Sequence, residues 1–140
     1  MIRYTKLPEN ILELLPRAAE YLESHPRVVF SYLFGSLASG SPAPLSDVDI
    51  AVYLSDATGA SEDKLEILEI LTDILQTDEI DLVILNTAEL PLVMNALKKR
   101  RVIVDKDPFA RHRFESLTMR KYFDFSIKEN SLLRRRYLHG

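Results

Sequence analysis

Leu33-Phe34-Gly35-Ser36-Leu37-Ala38-Ser39-Gly40, followed after six residues by Asp47-Val48-Asp49-Ile50-Ala51-Val52, decides how this chain of 140 residues is read. The first run is an apolar strand that ends in a Gly-Ser turn, and the second is a strand that carries two carboxylates with one residue between them. Side chains alternate along a strand, so Asp47 and Asp49 leave the same face. Two carboxylates aimed at one point repel each other unless a cation sits between them. A hard divalent ion such as Mg²⁺, which takes one or two carboxylates together with substrate phosphates, answers that need. Gly35 lets the backbone approach a phosphate closely, and Ser36 can cap a short helical turn whose N–H groups attract anions. Taken singly, each half has a bland reading, as two solvated turn aspartates and an ordinary loop Gly-Ser. Together they are more specific than either.

Outward from this stretch, Arg27–Phe34 reads as one strand and Val48–Leu54 as the next. The Gly-, Ser- and Pro-rich segment 35–46 between them is a loop opening in a short helical turn. Upstream, residues 8–24 place Ile11, Leu14, Leu15, Ala18 and Leu22 at helical spacing, with Pro16 expected to kink or divide the helix. Downstream, Ser61 reads as the N-cap of a helix reaching about Gln76. Ile80–Leu85 then forms a third strand, almost wholly apolar and so expected to be central and buried on both faces. Its charge at Asp81 asks for an explanation. A strand–helix–strand crossover brings Asp81 beside Asp47 and Asp49 as the third acid of a two-metal site, with Asp78 and Glu79 as alternatives.

Thr87–Leu97 predicts a helix closed by Lys98-Lys99-Arg100-Arg101, and Val102–Val104 a short strand. That cationic run reads first as a solvated helix end, with contact to a triphosphate or a partner as the alternative. Asp107-Pro108 opens a last helical region with a break near Asp124–Ser126. The fold class is α/β (α+β), a mixed β-sheet of about four strands flanked by helices, with a helical C-terminal tail. Residues 1–106 read as the catalytic domain and 107–140 as a basic helical extension of it.

An apolar content of 46% and this length suit one domain, not two. Absence of a long apolar run or a signal-like amino end points to a soluble cytoplasmic protein with no membrane role. Without cysteine there is no disulfide, thiolate metal site or cysteine nucleophile. Residues 1–105 carry 9 basic and 17 acidic side chains, whereas 106–140 carry 9 and 4. An acidic body fits direct nucleic-acid binding poorly, so the basic tail reads as a docking element for an acidic partner or for the body itself, or as a solvated helix face. His25, His112 and His139 show no ligand spacing and are expected at the surface or in the tail. No nucleophile elbow supports Ser-His-Asp chemistry, and no Gly-Lys-Ser/Thr follows Gly35-Ser36 to make a Walker loop.

Gly35-Ser36, ten intervening positions and Asp47-Val48-Asp49 resemble the signature of the DNA polymerase beta-like nucleotidyltransferase superfamily. With Leu33-Phe34 ahead, Ile50-Ala51-Val52 behind and Ile80-Asp81-Leu82-Val83 as the third-carboxylate strand, nearly the whole chain resembles the minimal nucleotidyltransferase (MNT) family. The resemblance implies transfer of a nucleotide from ATP, with Mg²⁺ and two ions in the site, to a hydroxyl with release of pyrophosphate. Asp47, Asp49 and Asp81 would be the catalytic and metal-holding residues, with Gly35 and Ser36 holding the triphosphate. Many relatives have a Gly-Ser-x-Ala-Arg-Gly turn, and this chain has Ser39 where they have arginine. The short chain leaves little room for an acceptor domain. The resemblance names a partner instead, a HEPN-domain ribonuclease toxin whose tyrosine receives AMP, which makes this chain the antitoxin. Phe114, Tyr122, Phe123 and Tyr137 of the tail are the first place to seek that contact. Two other readings stay open: an antitoxin that neutralises by binding alone, and an enzyme acting on a small molecule or an RNA end. An oligomer is left open as well.

Overall fold

The computed structural model describes residues 7–38 and 47–139. The elements run α1 (Ile11–Ser24), β1 (Val28–Phe34), β2 (Val48–Leu54), α2 (Ala60–Leu75), β3 (Ile80–Ile84), α3 (Leu90–Lys98), β4 (Arg101–Asp105) and α4 (Pro108–His139). The four strands lie in the order β3-β2-β1-β4, with β2 and β3 parallel and the other pairs antiparallel. The parallel pair requires a crossover, and α2 supplies it.

Strand alternation divides the core into two. Val48, Ile50, Val52, Leu82 and Ile84 point to the face covered by α1 and α2. Phe30, Tyr32, Phe34, Ala51 and Val83 point to the other, against Val93, Ala96 and Leu97 of α3, with Phe114 of α4 at its margin. Phe30 stacks on Tyr53 at 4.7 Å between ring centroids and Phe114 leans on both. This half of the core is therefore held by aromatic area and ring geometry together.

Several local expectations are corrected. β3 is an edge strand rather than a central one, although both of its faces are covered. α1 is a single helix despite Pro16, which lies on its exposed side, where water can serve the carbonyl left without a helical donor. The cap of α2 is Gly59, at φ +73°, and not Ser61. α4 continues unbroken through Asp124–Ser126. His25 is buried, its Nδ1 accepting the backbone N–H of Arg27 at 3.1 Å.

α4 is tied to the sheet through Glu115, buried to 6% exposure. Its Oε2 accepts from the Tyr32 hydroxyl at 2.7 Å and from Arg100 Nε at 2.9 Å, and its Oε1 accepts from Arg111 Nη1 at 3.1 Å. Burial, and then the bond to Glu115, push the Tyr32 hydroxyl far above its ordinary pKa. Glu115→Ala would leave the Arg100 guanidinium and the Tyr32 phenol without their carboxylate, while Arg111 keeps Asp105 at 3.1 Å, so a loss of about 3 kcal/mol is expected in urea unfolding. Tyr32→Phe leaves the ion pairs intact and should cost about 1 kcal/mol. The reverse ranking would show that Glu115 is not the centre of the network.

Candidate active site

β2 places Asp49 between two neighbours. Asp49 faces Phe34 across the antiparallel pair and Asp81 across the parallel pair. Adjacent strands run about 4.8 Å apart, so the two carboxylates start from neighbouring backbone positions on one face. Asp47, immediately before β2, lies on that face too by the period of two, and its charge acts on Asp49. Burial, then Asp81, then Asp47 push the Asp49 carboxyl up to about 6. The three sequence-predicted acids are thus brought together, on the α3–α4 side of the sheet.

Gly35 closes the site from β1. It has φ +75°, a left-handed conformation that glycine adopts without cost, and a Cβ built on it would overlap Asp49 Oδ2. The backbone therefore runs against the carboxylate where any side chain would intrude. Ser36 lies in the turn that follows, and Leu37, 1% exposed, anchors that turn in the core. Ser39 lies outside the described residues.

Among the described residues, one hollow is lined by Asp49 and another by Asp81. The first, of about 260 Å³, is lined by Phe34, Gly35, Asp49, Asn95, Lys98 and Lys99. The other, about 560 Å³, runs along β3 from Asp81 past Ile84 to the first turn of α2 and to Thr87 and Leu92. Asn95 was invisible as a site residue in the sequence, where nothing distinguishes it within an amphipathic helix. The Lys98–Arg101 run was visible, but its three destinations were not.

The donor set at Asp47, Asp49 and Asp81 is oxygen only and clusters negative charge, which fits Mg²⁺. Elsewhere, His25, Asp63 and Glu66 offer ligand atoms within 4.8 Å of one another. That group stands beyond the start of β1, at the end of the strand opposite Gly35. Asp63 is engaged by Arg27 Nε at 2.6 Å, and His25 Nδ1 accepts an N–H, which keeps a neutral ring's proton on Nε2. It is an ion-pair site rather than part of the carboxylate centre.

Residues 17–109 match the family described as Polymerase beta, Nucleotidyltransferase. The chain belongs to this nucleotidyltransferase family. Its fold is shared with solved toxin–antitoxin structures. A chain of a toxin–antitoxin crystal structure with AMP-PNP superposes with TM-score 0.71 at 22% identity, over 87% of this chain and 98% of that one. A chain of the MntA-HepT toxin–antitoxin structure gives TM-score 0.67 at 21% identity, over 89% and 98%. A complex of a tri-AMPylated Shewanella oneidensis HEPN toxin with its MNT antitoxin gives TM-score 0.62 at 21% identity, over 91% and 93%. No curated protein is a significant match. Among the described residues, no helix of this nucleotidyltransferase is long and apolar enough to cross a membrane.

Proposed function

We propose that this nucleotidyltransferase transfers AMP from ATP to a tyrosine hydroxyl of a cognate HEPN ribonuclease toxin and neutralises it as its antitoxin. The observation that carries the chemistry is the in-register pairing of Asp49 with Asp81, on one face and with Asp47 beside them. The partner is supported by the shared fold with MNT antitoxins, one of them solved with a tri-AMPylated HEPN toxin.

Asp47, Asp49 and Asp81 would hold Mg²⁺, which when bound supplies charge to the phosphates and orients them for displacement. The acceptor oxygen bonds to the α-phosphorus, the α–β anhydride bond breaks, and pyrophosphate leaves. Asp81, exposed on the edge strand, would take the hydroxyl proton of an acceptor entering along β3. Gly35 and Ser36 flank the triphosphate.

Past Thr118, α4 offers an exposed surface for the toxin, with Phe123 at 64% and Leu132 at 62% exposure, and with Tyr122 and Phe125 exposed on either side of Phe123. Phe114 is not part of that surface, because it is engaged by Phe30 and Tyr53. The side chain of Tyr137 lies outside the described residues. This surface is independent of the carboxylates, so it also suits neutralisation by binding alone.

Incubation with labelled ATP, Mg²⁺ and the purified toxin separates the two. Wild type is expected to label the toxin, and Asp47→Ala with Asp49→Ala to abolish labelling and protection together. Labelling that survives the double substitution would remove the assignment of the site. Protection that survives at equal expression would make binding the antitoxin mechanism.

A further inference from the structure

We propose that Lys98 and Lys99, at the carboxyl end of α3, grip the terminal phosphates of the nucleoside triphosphate and so supply the cations that the Gly-Ser loop lacks. The proposal rests on the nucleotidyltransferase reading above. Segment 35–46 contains no Lys or Arg, so its contribution to phosphate binding is limited to hydroxyls and backbone N–H groups. The carboxylates and a fully ionised triphosphate together carry more negative charge than two divalent ions offset. Desolvated anions of that density need further counter-charge.

The four consecutive cations Lys98-Lys99-Arg100-Arg101 separate in space. Arg100 turns inward: its Nε donates to Glu115 at 2.9 Å, its Nη1 donates to the Leu97 carbonyl at 2.7 Å, and its guanidinium lies over the Tyr32 ring. Arg101 enters β4 and lines a hollow on the opposite face, with Leu15, Ala18 and Ile50. Lys98 and Lys99 are left exposed, lining the same hollow as Gly35 and Asp49. Their backbone is fixed from both sides, by buried Leu97 before them and by Arg100 after them. The chain departs from helical geometry at Lys99, φ −131° and ψ 64°, which ends α3 there. Asn95, one turn earlier, adds an amide to the same wall. Two flexible ammonium groups on a fixed backbone, beside an acidic centre, form a site for a polyphosphate and not for a single neutral ligand.

The affinity of the full-length chain for α,β-methylene-ATP, whose α–β linkage cannot be cleaved, is to be compared with its affinity for AMP in Mg²⁺ buffer. Loss of each lysine should weaken triphosphate binding on the order of tenfold, so Lys98→Ala with Lys99→Ala loses about a hundredfold. AMP, which lacks the terminal phosphates, should change by no more than about twofold. Lys98→Arg with Lys99→Arg should retain most of the triphosphate affinity, and Arg101→Ala all of it, since that cation faces away. Parallel losses for the triphosphate and AMP would overturn the proposal, as would wild-type affinity in the double alanine variant. If the wild type binds neither nucleotide, the nucleotidyltransferase reading itself falls. A wild type that binds, beside a double variant that binds equally well, removes the lysine clamp alone.

Discussion

Gly35→Ala is expected to reduce AMP transfer by about a hundredfold or more, because the new methyl group would enter the space of the Asp49 carboxylate. Two penalties act at once. At φ +75° an L-residue costs about 1–2 kcal/mol relative to glycine. The overlap with Asp49 Oδ2 then forces either the carboxylate to turn away or the end of β1 to open. A displacement of about 1 Å in a carboxylate proposed to hold the metal is enough for losses of this size. Gly59 provides the control, since it has φ +73° but its added Cβ would lie 3.6 Å from the Glu62 side chain, at ordinary contact distance. Gly59→Ala should therefore lower the melting temperature while reducing transfer far less than Gly35→Ala does. Labelled-ATP transfer and thermal unfolding of both variants decide the matter. Activity of Gly35→Ala within about threefold of wild type would show that Asp49 tolerates the intrusion and that its position is not critical.

Asp49→Asn is expected to move stability and activity in opposite directions. In an unfolded chain an aspartate titrates near 3.9. Folding pushes Asp49 up to about 6, through burial and the fields of Asp81 and Asp47. Between those two values the folded state holds a proton that the unfolded state has released, so stability falls as pH rises through the interval. Above about pH 6 the penalty is constant. Asparagine has nearly the same shape and no charge. At pH 8 without divalent ions, Asp49→Asn should gain about 1–2 kcal/mol, on the order of 5 °C in Tm, after discounting for partial solvent access. The gain should shrink toward zero as the pH is lowered to about 4. Transfer at pH 8 should fall by about a thousandfold, since a carboxylate of the proposed metal-holding centre is lost. Adding Mg²⁺ and ATP should then stabilise wild type more than the variant, because a ligand stabilises only the state that binds it. A metal-free Asp49→Asn protein less stable than wild type at pH 8 would contradict the charge account.

The carboxylate centre was legible because it obeys two rules that depend on sequence alone. Asp47 and Asp49 share a face by strand alternation, and Asp81 follows a helix-length crossover that makes its strand parallel to β2. The position of β3 was not legible. An apolar run reports that both faces of a strand are covered, and Leu82 and Val83 are indeed covered on opposite faces. It carries no information about which strand lies alongside. His25 was misplaced for a related reason, since its burial follows from the approach of Arg27 and Tyr21, not from its own spacing. The cap of α2 escaped because Arg27 holds the incoming loop through the Asp56 and Thr58 carbonyls and then bonds Asp63 inside the helix. Such a clamp spans separate parts of the chain. Lys98 to Arg101 read as one charged stretch, whereas a helix end followed by a strand sends its members to three different places.

β2 carries two interleaved messages in seven residues, Val48–Leu54. Its even-numbered positions fill the α1–α2 side of the core, while Asp49 on the other register serves the acidic centre, with β1 and β3 bonded on either side. Substitution edits one message at a time. Insertion or deletion of a single residue would exchange them, sending a carboxylate into the apolar layer and an aliphatic side chain toward the acidic centre. Length variation within β2 is therefore closed to this protein, since folding and chemistry would be lost in the same event.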